Sequence, residues 1–162
     1  MPTISQKTML PRAIQTKMDL RDARFRPLGD VNAAMRDLDM SAPEVDALLD
    51  IQLLLGFNIA VDPDGRRELR VLTRSIEHFR ETFGSNRLQL KWSEIFKLIL
   101  PHDKPVVTGL EIQRGLNCDR GHVENLCNAK LLKVITEAQP GPHGSPTITR
   151  ASYEAFMKGR ML

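Results

Sequence analysis

The chain has 162 residues, 41% of them hydrophobic and 27% charged, with a net charge of +3. That length buries a substantial core, as one domain or two small ones, and the balance excludes a disordered or fibrous chain. No apolar run approaches the ~20 residues of a membrane span, and the two cysteines, Cys118 and Cys127, are too few for a disulfide framework.

Residues 1–26 form a basic arm, with six Lys/Arg against two Asp/Glu, and only residues 13–23 have the spacing of a short amphipathic helix. The arm has no basic-then-apolar leader pattern, so a cytoplasmic, nucleoid-associated location is expected. A first unit spans 27–83. Asp30 is an N-cap for a helix through Leu38, and Ser41 with Glu44 forms a capping box around Pro43. Val45, Leu48, Leu49 and Leu53 continue a helix by i, i+3, i+4 spacing, with Gly56 expected to end it. Residues 57–61 and 68–72 read as a hairpin around the turn at 62–65, and Thr73 is expected to cap a helix to Thr82.

Residues 84–104 are expected to be a linker with one helix, from Trp92 to a stop at Pro101. A second unit then covers 105–162. Thr108 caps a short helix to Gly115, Asp119 caps a helix to Lys130, and residues 132–137 form a strand. The Pro/Gly-rich stretch 140–146 is a loop tip. Residues 147–149 return as a strand, and 152–157 close the unit as a helix.

The two units read as one pattern written twice. Leu38, Val45, Leu48, Leu53 and Leu54 fall on Leu116, Val123, Leu126, Leu131 and Leu132 without a gap. After deletion of one loop residue, Ser75, Glu77 and Phe79 fall on Ser152, Glu154 and Phe156. Self-similarity of this kind fixes the architecture before any other reading. The expected fold is mainly α with small β-hairpin wings: two winged helix-turn-helix units in tandem.

The run 107–126 (VTGLEIQRGLNCDRGHVENL) and the later 147–156 (TITRASYEAF) resemble the start and end of the excisionase-like and MerR-like winged helix-turn-helix DNA-binding family, with a weaker echo in 28–80. Two departures from that pattern stand out: Ala129-Lys130 replaces a glycine before Leu131, and the second wing lacks an arginine pair. The first wing carries such a pair, Arg66-Arg67, behind Gly65. The resemblance implies an accessory or regulatory protein of a mobile element, phage or plasmid, which bends DNA for a recombinase or regulates transcription.

In such a fold the second helix of the unit enters the major groove. The expected base-facing residues are Arg120, Gly121, His122, Asn125 and Asn128, with Lys130 beyond them. Arg suits guanine and Asn suits adenine, and Gly121 permits close approach to a phosphate. The blander alternative is a solvated polar helix face. His143, Ser145, Thr147 and Arg150 of the second wing, and Arg66, Arg67 and Arg70 of the first, are expected on phosphates or in the minor groove. The equivalent helix of the first unit presents Glu44, Asp46 and Asp50, which phosphates repel. It is expected to meet a protein, such as a recombinase, a polymerase or a second copy.

Cys118 and His122 are four residues apart, but Cys127 points elsewhere, and the repeat places both cysteines on apolar positions, Met40 and Leu49. Core thiols are therefore expected rather than a metal site. Asp62 and Asp64 before Gly65 open like a calcium loop whose later ligands are missing. No phosphate loop, zinc-protease motif or nucleophile elbow is present, so neither an enzyme nor a cofactor is expected. The primary expectation is sequence-specific binding of duplex DNA through the second unit, with no membrane partner. The rival is a tandem winged-helix scaffold that recruits a protein and reads no DNA.

Overall fold

The computed structural model describes residues 26–137 and 144–162. Among these, seven helices and two three-stranded antiparallel sheets make a mixed α/β structure. No helix among the described residues is long and apolar enough to cross a membrane.

Strand β1 (Leu28–Gly29) leads into α1 (Val31–Leu38), whose N-cap Asp30 accepts the Ala33 N–H at 2.8 Å. Asp39 turns the chain in the left-handed region, and α2 (Ala42–Asp50) starts on the Ser41/Glu44 capping box. The Ser41 N–H and hydroxyl hold the Glu44 carboxyl below its ordinary range. Strands β2 (Gly56–Asn58) and β3 (Leu69–Leu72) form the hairpin, and α3 (Thr73–Thr82) follows. Strand β3 is central, pairing Leu72 with Leu28 on one side and Arg70 with Phe57 on the other.

After α4 (Trp92–Ile99), the second half repeats the order. Strand β4 (Val106–Thr108) leads into α5 (Gly109–Leu116) and α6 (Arg120–Asn128). Strands β5 (Val134–Thr136) and β6 (Thr147–Thr149) and helix α7 (Arg150–Arg160) complete it. Its sheet runs β4-β6-β5, matching β1-β3-β2.

The match extends to single bonds. The Leu55 N–H donates to Ser75 Oγ at 3.0 Å, as the Lys133 N–H donates to Ser152 Oγ at 3.0 Å. Thr73 N–H meets Pro27 O at 2.9 Å, and Arg150 N–H meets Pro105 O at 2.9 Å. Asp39 and Asn117 share the left-handed turn at φ 54° and 53°, as do Gln52 and Lys130 at 61° and 67°.

Several expectations need correction. Helix α2 stops at Asp50, with left-handed Gln52 just beyond it, so Gly56 does not end it. Gly56 lies in β2, where an added Cβ would sit 2.7 Å from Arg70 O and 2.8 Å from Leu49 Cδ2. Thr73 does not cap α3, and its hydroxyl donates to Arg26 O at 2.9 Å. Residues 84–104 are more than a linker. Ile95, Phe96, Ile99 and Leu100 are buried in the larger core, with Trp92 stacked on Phe96 at 5.6 Å.

The halves share that core. Leu55, Phe57 and Ile59 alternate along the β2 arm toward residues of the second half, while Leu54, Val71 and Ile76 pack on α1 and α2. Helix α6 is therefore seated against the first half's hairpin as well as on its own unit.

Candidate nucleic-acid interface

Helix α6 begins where Asp119 accepts the His122 N–H at 2.8 Å, and it buries Val123 and Leu126. This leaves Arg120, Gly121, Glu124, Asn125 and Asn128 exposed, followed by exposed Lys130. Arg120 Nε lies 3.8 Å from Glu124 Oε2, a solvent-exposed i, i+4 pair of small energetic value. One guanidinium and two carboxamides thus share one accessible side of one helix. Helix α5, the 144–146 segment and α6 enclose a cleft of about 240 Å³, with Gln113 and Arg120 on its walls. Nothing local in the sequence marks Gln113, because only the placement of α5 beside α6 brings it there.

His122 departs from its expected role. Its ring is half-buried and its Nε2 lies 2.6 Å from Ile59 O. A carbonyl only accepts, so Nε2 carries the proton and donates it. The ring ties α6 to the hairpin of the first half.

Arg70 is the clearest correction. It is 9% exposed. Its Nε donates to Leu116 O at 2.9 Å and its Nη2 to Asn117 O at 2.9 Å, with Nη1 on Leu69 O at 3.0 Å. Glu68 lies 3.2 Å away. The guanidinium satisfies carbonyls left open at the C-terminal end of α5, where a cation also complements the helix dipole. It is not available to a phosphate.

Arg150 is similarly engaged. Its Nη1 donates to Glu154 Oε1 at 3.1 Å, Asp103 lies 4.0 Å from Nη2, and the guanidinium sits 5.0 Å over the Phe96 ring. Ser145 Oγ accepts the Leu110 N–H at 3.0 Å and so serves the first turn of α5. Thr147 pairs within the sheet, opposite Thr108 and Thr136. His143 lies outside the described residues, as does all of the basic arm except Arg26. Arg66 and Arg67 are exposed in the first hairpin loop, with no ion-pair partner among the described residues.

Cys118 and Cys127 pack against the larger core. Burial pushes the Cys118 thiol up to about 12 and raises Cys127 as well, so both stay protonated near neutrality. Among the described residues, no three His, Cys, Asp or Glu side chains cluster as a metal site.

Comparison with family models, with curated proteins and with solved structures finds no match to this chain.

Proposed function

We propose that the protein is a tandem winged helix-turn-helix protein that binds duplex DNA in a sequence-dependent manner, with α6 in the major groove. The observation carrying this reading is the exposed side of α6. Arg120, Asn125 and Asn128 lie together on a helix whose opposite side is buried, and the groove admits one helix of this diameter. Charge supports it too, since residues 84–162 hold eleven Lys/Arg against seven Asp/Glu. The strand-helix-helix-strand-strand-helix order of each half also fits a winged helix. An accessory role in recombination or a role in transcription, in the manner of excisionase-like proteins, accords with that reading.

A band-shift titration on fragments selected from a random duplex library tests it. Arg120→Ala combined with Asn125→Ala should abolish discrimination among fragments, by roughly 10²-fold or more at ~1–3 kcal/mol per lost bidentate contact. Unchanged discrimination in that variant removes α6 from the groove.

One observation favours the scaffold as a second reading. On α2, the positions matching the α6 side hold Asp46, Ala47 and Asp50, and Ile51 at its end is 50% exposed. An acidic rim beside an exposed aliphatic side chain suits a basic protein partner and repels phosphate. Duplex affinity that fails to fall as salt rises would favour this reading over DNA binding.

A further inference from the structure

The first half's hairpin and the second half come from different units, yet two side chains, His122 of α6 and Arg160 of α7, tie them together. His122 donates to Ile59 O, and Ile59 is fully buried. From α7, the Arg160 guanidinium donates to Asn58 O at 3.1 Å, to Val61 O at 3.2 Å and to Ala60 O between them. Asn58 Oδ1 accepts the N–H groups of Ala60 and Glu68, at 3.2 and 3.0 Å, closing the base of the loop. The Ile59 N–H pairs with Glu68 O at 2.9 Å. Every carbonyl from Asn58 to Val61 thus receives a donor from α6 or α7, an unusual provision for the arm of a surface loop.

Beyond this clamp the loop is ordered by its own turns. Asp62 Oδ1 accepts the Asp64 N–H at 3.1 Å, and the Gly65 N–H meets Asp62 O at 3.2 Å. Burial lowers the Arg160 guanidinium from its ordinary value, and the loop's first two carboxylates, Asp62 and Asp64, oppose that shift. Arg66 and Arg67 come next in the chain and remain exposed. Arg67 adjoins Glu68, which pairs with Ile59, which is bonded to His122. Cα spacing of 3.8 Å along the chain and ~5.5 Å across the ladder keeps the Arg67 and His122 Cα atoms within ~20 Å. A duplex presents a phosphate about every 1.7 Å of axis, so one that lies on α6 and runs toward the hairpin offers phosphates to these arginines.

We propose that the 60–67 loop of the first half and α6 of the second form one composite surface for duplex DNA, with His122 as the positioning residue that joins them. This rests on the DNA-binding reading above. His122 acts through Ile59 and touches no base, while Arg66 and Arg67 hold phosphates flanking the groove that α6 enters. The first half thereby supplies a wing to the second half's helix.

The test measures binding of the full chain to a fluorescein-labelled duplex of arbitrary sequence by anisotropy between about 50 and 200 mM salt. Each phosphate contact contributes about 0.9 to the slope of log affinity against log salt. Arg66→Ala/Arg67→Ala should lower that slope by about 2, and His122→Ala by a similar amount. The variant combining all three should fall no further than either, because a loop released from α6 no longer holds phosphates flanking that helix. His122→Gln, which retains a donor, should restore most of the wild-type slope, whereas a merely structural role would give no such rescue of salt dependence. Additive losses, or an unchanged slope in Arg66→Ala/Arg67→Ala, overturn the inference.

A duplex of about 10 base pairs, too short for two separate sites, provides a measurement independent of His122. Arg66→Ala/Arg67→Ala and Arg120→Ala must each weaken binding to it, and failure of the first alone also overturns the composite surface. Wild-type protein with no salt-dependent affinity would overturn the DNA-binding reading itself, a result distinct from both.

Discussion

Gly115 tests how α5 is seated, and through α5 the turn that aims α6. A Cβ added there would lie 2.6 Å from Tyr153 Oη, 3.2 Å from Ile99 O and 3.3 Å from Ile99 Cγ2. Tyr153 is fully buried and packs edge-to-face on Phe96 with ring centroids 5.5 Å apart, so it has little room to withdraw. Overpacking of this kind costs about 2–3 kcal/mol, and the better helix propensity of alanine returns less than about 1 kcal/mol near a helix end. Gly115→Ala should therefore destabilise by about 2 kcal/mol, lowering Tm by roughly 4–8 °C. The Tyr153 hydroxyl has no hydrogen-bond partner among the described residues. Tyr153→Phe should accordingly be neutral or slightly stabilising, and it moves the obstructing atom back by one bond length. In that background Gly115→Ala should cost almost nothing, giving a coupling of about 2 kcal/mol in the double-mutant cycle. Urea unfolding followed by circular dichroism reads all four proteins. Equal destabilisation by Gly115→Ala with Tyr153 or with Phe at that position would refute the contact as the cause.

Two other side chains give separable outcomes. Arg70→Ala leaves the α5 carbonyls and Glu68 without their partner, and should lose about 2–3 kcal/mol in urea unfolding while leaving the salt slope of duplex binding intact. Retained stability with a shallower slope would return Arg70 to the binding surface. Glu111 is raised by desolvation, but the Thr108 N–H, His102 and the Thr108 hydroxyl together outweigh this and hold its carboxyl below the ordinary 4.5. A depressed folded pKa gives stability that is present above the unfolded value and lost as pH falls through the folded one. The advantage of wild type over Glu111→Gln should thus be full near neutrality and shrink below about pH 4.5, as read from urea midpoints. A constant difference down to about pH 3 would contradict the assignment.

What was legible in the sequence was mostly local. Asp30, Ser41 with Glu44, Thr108 with Glu111, and Asp119 each announce a helix start within four residues, and all four make their side-chain caps. Features decided by distant partners were not legible. Strand β1 is two residues long and exists through its pairing with β3, although the repeat register places Leu28 opposite Val106 and would have marked it. The apolar spacing of α4 was visible, but not that both halves close over it. Arg70 and His122 carry side chains suited to nucleic acid, and their real partners lie 46 and 63 residues away. Charge and donor type describe what a side chain can do, while a long-range carbonyl decides whether it is free to do it.

The two halves differ where folding does not constrain them. Matched positions that make the scaffold keep their chemistry: Ser75 and Ser152 accept equivalent N–H groups, and Val45 and Val123 are both buried. Matched positions facing solvent do not. Ala42, Ala47 and Asp50 of α2 correspond to Arg120, Asn125 and Asn128 of α6, while Asp46 and Glu124 both keep a carboxylate. The exchange adds one cation and removes one anion, and replaces methyl and carboxylate groups with carboxamides. On an exposed helix such changes leave packing almost untouched, so they bear on what approaches the surface rather than on whether it folds. Two copies of one scaffold can in this way carry different surface charge within a single core. His122 and Arg160 hold the first hairpin against the second unit, so the two units do not vary as independent bodies.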